Sequence, residues 1–215
     1  MLSQPPRQSR GGFFWPIFTG MDFSQDIDLQ NGRARLRPLV AADYEALKPA
    51  AFDPDIWRYT LTRGDDALSL ADYLAAALTG REAGLRYPFV LEDRETGQLA
   101  GSTSYYADYP ADLRLSIGYT WVGSHWQRTG LNRACKHLLL RHAFDTLGYE
   151  RVELETDSRN VQSQTAMRRM GATEEGILRS HRPTQGGLRR DTVIFSVLRA
   201  EWEQLRRTVF AEYEA

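Results

Sequence analysis

The sequence predicts one mixed α/β domain, α+β in the arrangement of its elements, and three observations carry that prediction. Apolar and polar residues alternate over 33–37 and again over 151–156, the period of a half-buried strand. Three short strand-like runs between residues 88 and 122 are separated by turn residues, as in an antiparallel meander. From Gly130 the period changes to three and four, through Leu131, Ala134, Cys135, Leu138, Leu139, Ala143 and Leu147, which makes this the clearest helix of the chain.

Residues 1–30 read as an irregular N-terminal arm. Arg7 and Arg10 followed by Phe13, Phe14, Trp15, Ile17 and Phe18 faintly imitate a signal peptide, but Pro16 interrupts the patch and no small-residue cleavage site follows. The arm's aromatics would pack on the domain or on a second subunit. The domain itself is expected over 31–215, because no fixed-period repeat and no low-complexity linker divides it. Arg33-Ala34-Arg35-Leu36-Arg37 is a strand that Pro38 ends. Helices are expected over 41–50 and 68–78, the second with Leu70, Tyr73, Leu74, Ala77 and Leu78 on one face, and a loop with Phe52, Trp57 and Tyr59 between them. Strands over 88–92 and 99–106 form a hairpin around 94–97, and a third strand spans 113–122. Gly148 closes the long helix as a C-terminal cap. A strand over 151–156, a helix over 163–170 ending at Gly171, and a hairpin of 176–182 with 191–198 around Gly186-Gly187 complete the chain.

Composition narrows the function classes. Hydrophobic residues at 42% fill a core in a 215-residue chain, and 27 Lys and Arg against 28 Asp and Glu give a net charge of -1. Nothing global draws such a protein to nucleic acid or an anionic membrane, so an anion site has to be local. The single Cys135 forms neither an internal disulfide nor a thiolate metal cluster, which predicts a reducing, cytoplasmic setting and no metal. No apolar run approaches the ~20 residues of a spanning helix.

One segment departs from that balance. Between Ser116 and Phe144 there is no Asp or Glu, while Arg128, Arg133, Lys136, Arg141, His125, His137 and His142 all fall there. Gln127-Arg128-Thr129-Gly130-Leu131-Asn132 lies between a strand and the start of the clearest helix, where unpaired N–H groups and the helix dipole favour a phosphate. Gly130 lets the backbone approach such a group closely. An ordinary strand-to-helix turn with solvated basic residues explains the same letters. The segment has neither G-K-[ST] nor G-x-G-x-x-G, so neither a P-loop nor a dinucleotide fold is indicated.

These residues resemble the Q/R-x-x-G-x-G/A pyrophosphate loop of the GNAT superfamily of acyl-CoA-dependent N-acyltransferases. Further pieces agree in order: Ser116-Ile117-Gly118-Tyr119, His142-Ala143-Phe144, Leu147-Gly148, Arg151-Val152, Asn160 with Ser163, Gly171-Ala172, Glu175-Gly176 and Leu178-Arg179. Together, over about residues 33–202, they resemble the RimJ/RimL branch of ribosomal-protein-alanine N-acetyltransferases. The resemblance implies a mixed, mostly antiparallel sheet with flanking helices, whose one parallel pair, 113–122 and 151–156, splays to admit acetyl-CoA. Trp121 and Val122 would pair with the pantetheine arm, and Gln127, Arg128, Thr129, Gly130, Leu131 and Asn132 would form the pyrophosphate loop, Arg128 adding a charge. Asn160 would reach the pantetheine or the substrate, or simply close a turn.

Two positions depart from the pattern. Asn132 stands where many members have Gly or Ala, and Met167 where many have the Tyr that protonates the leaving thiolate. In RimL-like relatives a Ser takes that role, and Ser163 matches its position; Ser163 also reads as the helix N-terminal capping residue. The reaction implied is direct attack of an amine on the thioester, with backbone N–H groups of 113–122 stabilising the oxyanion. Cys135, on the apolar face of the helix, reads as packing rather than as a nucleophile. Candidate bases are Asp157 and Glu155 at the end of the second splayed strand, and His181 in the last hairpin, each with a bland alternative as a solvated or paired group. The Glu proposed in RimL-like relatives falls near Arg182 and does not carry over.

The acceptor is expected to be a protein N-terminal α-amine or a small amine, with no nucleic acid and no membrane as partner, and the family also implies a homodimer. A non-catalytic acyl-CoA-binding module is the alternative that Met167 motivates. Trp57, Tyr59 and Tyr105 either line an acceptor pocket or pack in the core.

Overall fold

Eight strands form one sheet in the computed structural model, which describes residues 20–184 and 186–214. In chain order the elements are β1 (Leu29–Gln30), β2 (Ala34–Pro38), α1 (Tyr44–Ala51), α2 (Ala67–Glu82), β3 (Arg86–Asp93), β4 (Gln98–Tyr109) and β5 (Arg114–Val122). They continue with α3 (Leu131–Arg141), β6 (Arg151–Asp157), α4 (Val161–Arg169), β7 (Thr173–Pro183), β8 (Arg189–Leu198) and α5 (Arg199–Thr208). The sheet order is β1-β2-β3-β4-β5-β6-β8-β7. Every neighbouring pair is antiparallel except β5 and β6.

The two faces of the sheet follow from β4. Successive strand residues point to opposite sides, and Ser102 meets Tyr73 of α2 while Thr103 meets Lys136 and Tyr105 meets Leu139, both of α3. α2 and α3 therefore cover opposite faces. α2 starts at Asp66, whose carboxylate accepts from the N–H groups of Leu68 and Ser69, and it runs four residues past the expected 78. α3 gives way after Arg141 to a π-helical turn, His142–Thr146, which the unbroken three-and-four period does not reveal; Gly148, at φ +76°, ends it as expected.

Two elements were not legible. β1 has two residues. α5 offers only Ala200, Trp202 and Leu205 as apolar residues, too few to make a stripe, and is set by Glu201, whose carboxylate accepts from the Leu198 N–H at 2.9 Å. Of the stretch read as an arm, residues 1–19, with the aromatic patch, lie outside the described residues. Over 20–30 the chain lies against the domain: Met21 N–H donates to Asp108 Oδ2 at 3.0 Å, and the Tyr87 hydroxyl takes the Ile27 N–H and gives its proton to the Gln25 carbonyl. No helix among the described residues is long and apolar enough to cross a membrane.

Candidate functional site

β5 and β6 pair only from Arg114↔Arg151 to Ser116↔Glu153; beyond that both continue, to Val122 and Asp157, without pairing to each other. Each stays pinned on its other edge, β5 to β4 and β6 to β8. The result is a wedge-shaped gap whose β5 side presents an unpaired strand edge. Just past the fork β5 bulges: Gly118 opposes Ser104 and Trp121 opposes Ser102, so one extra residue is inserted, with Tyr119 at φ +50°. The Tyr73 hydroxyl lies 3.3 Å from the Tyr119 carbonyl and holds the bulge from the α2 side. Tyr106 stacks against Gly118, where a Cβ would lie 2.6 Å from its ring, and burial with the nearby Glu155 charge keeps its phenol protonated.

The strand ends in the loop that carries the motif. Arg128 at φ +63° and Gly130 at φ +91° flank Thr129, so the chain bends on itself ahead of α3. Among the described residues the N–H groups of Arg128, Thr129 and Gly130 meet no acceptor, and that of Leu131 reaches only the Thr129 hydroxyl, at 3.4 Å. These donors, gathered at a positive helix end, form an anion cradle. The Arg128 side chain is exposed and has no acidic partner among the described residues. Behind the loop, Tyr213 donates to the Gly130 carbonyl at 3.2 Å and accepts from Arg133 Nε, while Glu212 pairs with Arg133. A cavity of about 510 Å³ opens here, lined in part by Arg33, Arg128, Thr129, Gly130, Arg133 and Tyr213. Arg33 and Tyr213 come from opposite ends of the chain, and no local signal marks them.

The expected positive field shrinks on inspection. Lys136 is buried, its Nζ 2.9 Å from Thr120 Oγ1 and 3.4 Å from Thr103 Oγ1, and burial pushes it down to about 8. His137 is enclosed by Trp202, Phe210 and Tyr213, and burial pushes His142 down to about 4. The helix turns these bases inward, leaving Arg128 and Arg133 beside the cradle.

Gln127 ties the two sides of the gap together: its Nε2 donates to the Val122 carbonyl at 3.1 Å, and its Oε1 accepts from Gln162 of α4 at 2.9 Å. Trp121 is buried against Trp57 and Tyr73, Leu131 is fully buried, and among the described residues neither the Trp121 indole N–H nor the buried Asn132 Oδ1 has a partner. On α4, the reading of Ser163 as the capping residue is corrected. The helix begins two residues earlier, and Asn160 Oδ1 accepts the Ser163 N–H at 3.0 Å. The Ser163 hydroxyl and the Asn160 amide nitrogen have no protein partner among the described residues. Asn160→Ala is expected to cost about 1 kcal/mol of stability through the lost cap; an unchanged urea midpoint and m-value would show that the cap is not what holds α4.

The candidate bases differ sharply. Asp157 is 1% exposed and clamped by Arg159, through its N–H, Nε and Nη2, which holds the carboxyl below its usual range. Glu155 faces Arg190 at 3.1 Å and Arg182 at 3.4 Å. His181, on β7, lies two strands from the β6 side of the gap, with Nδ1 buried and unpartnered among the described residues. Tyr105 belongs to the core, its hydroxyl donating to the Leu139 carbonyl, and Trp57 donates to the Ala51 carbonyl at 4% exposure. Tyr59 lies under Arg159, 6.0 Å from it. Burial pushes the Cys135 thiol up to about 12, as expected of a packing residue.

A family model described as "Acetyltransferase (GNAT) domain" matches residues 33–173. YdaF of Bacillus subtilis, named provisionally as a ribosomal N-acetyltransferase, is 31% identical over 128 residues, 60% of this chain and 64% of that protein. The crystal structure of a GCN5-related N-acetyltransferase from Brucella melitensis superposes with a TM-score of 0.81 at 27% identity, covering 88% of this chain and 86% of that one. That of Mycobacterium smegmatis RimJ, in complex with CoA-disulfide, gives a TM-score of 0.71 at 21% identity over 87% and 94% of the two chains, a likeness of fold.

Proposed function

The chain belongs to the GNAT acetyltransferase family, and from that membership we propose that it transfers acetyl from acetyl-CoA to an α-amine by direct attack, with donor and acceptor bound together. One observation carries the donor site: the uncompensated N–H cradle of Arg128 to Leu131 stands at the mouth of the gap beside an unpaired β5 edge. The cradle fits a pyrophosphate, with Arg128 adding a mobile charge. The edge around Trp121 and Val122 fits an extended amide-bearing arm, which it would take like an added strand. When bound, acetyl-CoA supplies the thioester carbonyl.

The chain's own groups divide the remaining work. In this reading, N–H groups of the bulged segment at Tyr119 and Thr120, where β5 departs from its regular pairing with β4, stabilise the charge that develops on the carbonyl oxygen. The Ser163 hydroxyl, on the helix wall of the gap, gives the departing thiolate a donor in the place that Met167 vacates, and the Asn160 amide nitrogen adds another. Asp157 is spent on Arg159 and Glu155 on Arg190 and Arg182, so neither is a strong base. His181, two strands from β6, would need a water relay to serve the gap. An α-amine, with a pKa of about 8 against about 10.4 for a lysine side chain, is partly neutral at pH 7 and needs least help. That favours an N-terminal α-amine, or a small molecule bearing one.

The first experiment is a thermal-shift titration with acetyl-CoA against ATP and NAD, followed by thiol release with peptide and small-molecule α-amines. A ligand at 100 times its dissociation constant stabilises a fold by about 2.7 kcal/mol. Selective stabilisation with turnover is the expected result; tight binding with no turnover of any amine would make this a non-catalytic acyl-CoA module. Ser163→Ala is expected to lower kcat about tenfold, the worth of one hydrogen bond to a developing charge. Its acetyl-CoA affinity should stay within twofold of wild type, and an unchanged kcat would remove Ser163 from the chemistry.

A further inference from the structure

Arg86 begins β3 and is 6% exposed, yet no carboxylate lies within 4 Å of it among the described residues. Its Nε donates to Ser104 Oγ at 2.8 Å and one terminal nitrogen to the Tyr73 hydroxyl at 2.6 Å. The guanidinium lies 4.8 Å from the Tyr73 ring centre and 4.0 Å from that of Tyr119. The other terminal nitrogen has no protein partner there. The comparison within this molecule is Arg190, equally buried, which faces Glu155 at 3.1 Å. A buried guanidinium without an anion bears a desolvation cost that hydroxyls and ring faces offset only in part. Its charge is left for something else.

That charge borders an open cavity of about 320 Å³, lined in part by the loop at Thr62 and Arg63, by Asp72 and Tyr73 of α2, and by Arg86. Arg63 is paired with Asp65, whereas the exposed Asp72 has no ion pair among the described residues. The cavity thus carries one uncompensated cation inside and one uncompensated acid at its rim. It also abuts the fork: Tyr73, on its wall, touches the Tyr119 carbonyl in the bulge, and Tyr119 stacks on Arg86. The side of the bulge away from the phosphate cradle is where an acceptor amine has to arrive.

Building on the transfer reading above, we propose that the acceptor is an aminocarboxylate, its carboxylate received by Arg86 while its amine reaches the bulge of β5. The carboxylate belongs either to a free amino acid or to an acidic residue at a peptide N-terminus. Both present the same chemistry to the guanidinium, as a charge-assisted contact through the terminal nitrogen that Ser104 and Tyr73 leave without a partner. Asp72 at the rim attracts the ammonium form of the same molecule.

The test uses the full chain saturated with CoA and measures binding by equilibrium dialysis, independently of turnover. One arm compares the twenty proteinogenic amino acids with their amides; the other compares short peptides with Asp or Glu at position one or two against Asn or Gln. At least one acid is expected to bind about tenfold or more tightly than its neutral counterpart, from the worth of a hydrogen bond between charged groups. Arg86→Gln should bring that ratio close to one. Preference in the first arm identifies a small-molecule acceptor, and preference confined to the second identifies a peptide; either supports the proposal. Equal binding of acids and neutral counterparts in both arms, or a ratio that survives Arg86→Gln, overturns it. Should Arg86→Gln unfold, the wild-type ratio and Arg86→Lys decide. Acetyl transfer to amines with no acid preference in binding overturns this proposal alone, whereas acid-selective binding with no transfer to any amine overturns the transfer reading and leaves Arg86 as a carboxylate site.

Discussion

Gly130→Ala is expected to weaken acetyl-CoA binding about a hundredfold while the protein remains folded. Gly130 sits at φ +91°, and a Cβ there would meet the Tyr213 hydroxyl at 3.4 Å. An alanine held in that left-handed region costs roughly 1–2 kcal/mol, which the loop relieves by rotating toward negative φ. Rotation turns the neighbouring peptide planes, so the N–H groups of Gly130 and Leu131 no longer converge with those of Arg128 and Thr129. Losing one or two charge-assisted hydrogen bonds at about 1.5–3 kcal/mol each gives the stated drop. Calorimetric titration with acetyl-CoA measures it, and urea unfolding of the ligand-free protein should show only the smaller strain. A dissociation constant unchanged in the variant would mean that the cradle is an ordinary turn and that the donor binds elsewhere.

The cradle was legible because everything that makes it is local: a glycine, a strand before it and a periodic helix after it. The same holds for the three-stranded meander and for the closure of the long helix at Gly148. What escaped depends on contacts far apart in the chain. Nothing near Arg86 announces that Tyr119, 33 positions later, stacks on it, because the meeting is set by the register of β3 on β4 and β4 on β5. The bulge is hidden for the same reason, since one extra residue in β5 shows only against its partner. Ser163 is a subtler case: Asn160 and Ser163 are both good capping residues, and choosing between them requires the backbone angle at Asn160. The basic cluster misled because charge was counted along the chain, whereas α3 turns Lys136 and His137 inward and His142, in the π-helical turn after it, is half-buried.

Lys136→Met is expected to stabilise the protein at pH 7 and to remove a rise in stability that the wild type shows above pH 8. The ammonium of Lys136 is buried between α3 and the strands, and the groups facing it are Thr103 of β4, Thr120 of β5 and, on its own helix, Cys135, whose thiol stays neutral up to about 12. With no acid beside it among the described residues, burial lowers its pKa from 10.5 to about 8. Below pH 8 both folded and unfolded chains hold the proton, and the full cost of burying the charge is present. Between pH 8 and 10.5 the folded chain releases the proton that the unfolded chain keeps, so the unfolded state binds more protons and stability climbs with pH. A displacement of that size corresponds to roughly 3 kcal/mol. Methionine fills similar volume without the charge, and the two hydroxyls it leaves behind already lie 2.7 Å apart and satisfy each other. Urea unfolding of wild type and variant from pH 7 to 10 isolates the effect as a difference, so that other titrating groups common to both chains cancel. A variant less stable than wild type at pH 7, with parallel pH profiles, would mean that the ammonium is held by its hydroxyls better than burial penalises it, and that its proton is not lost in this range.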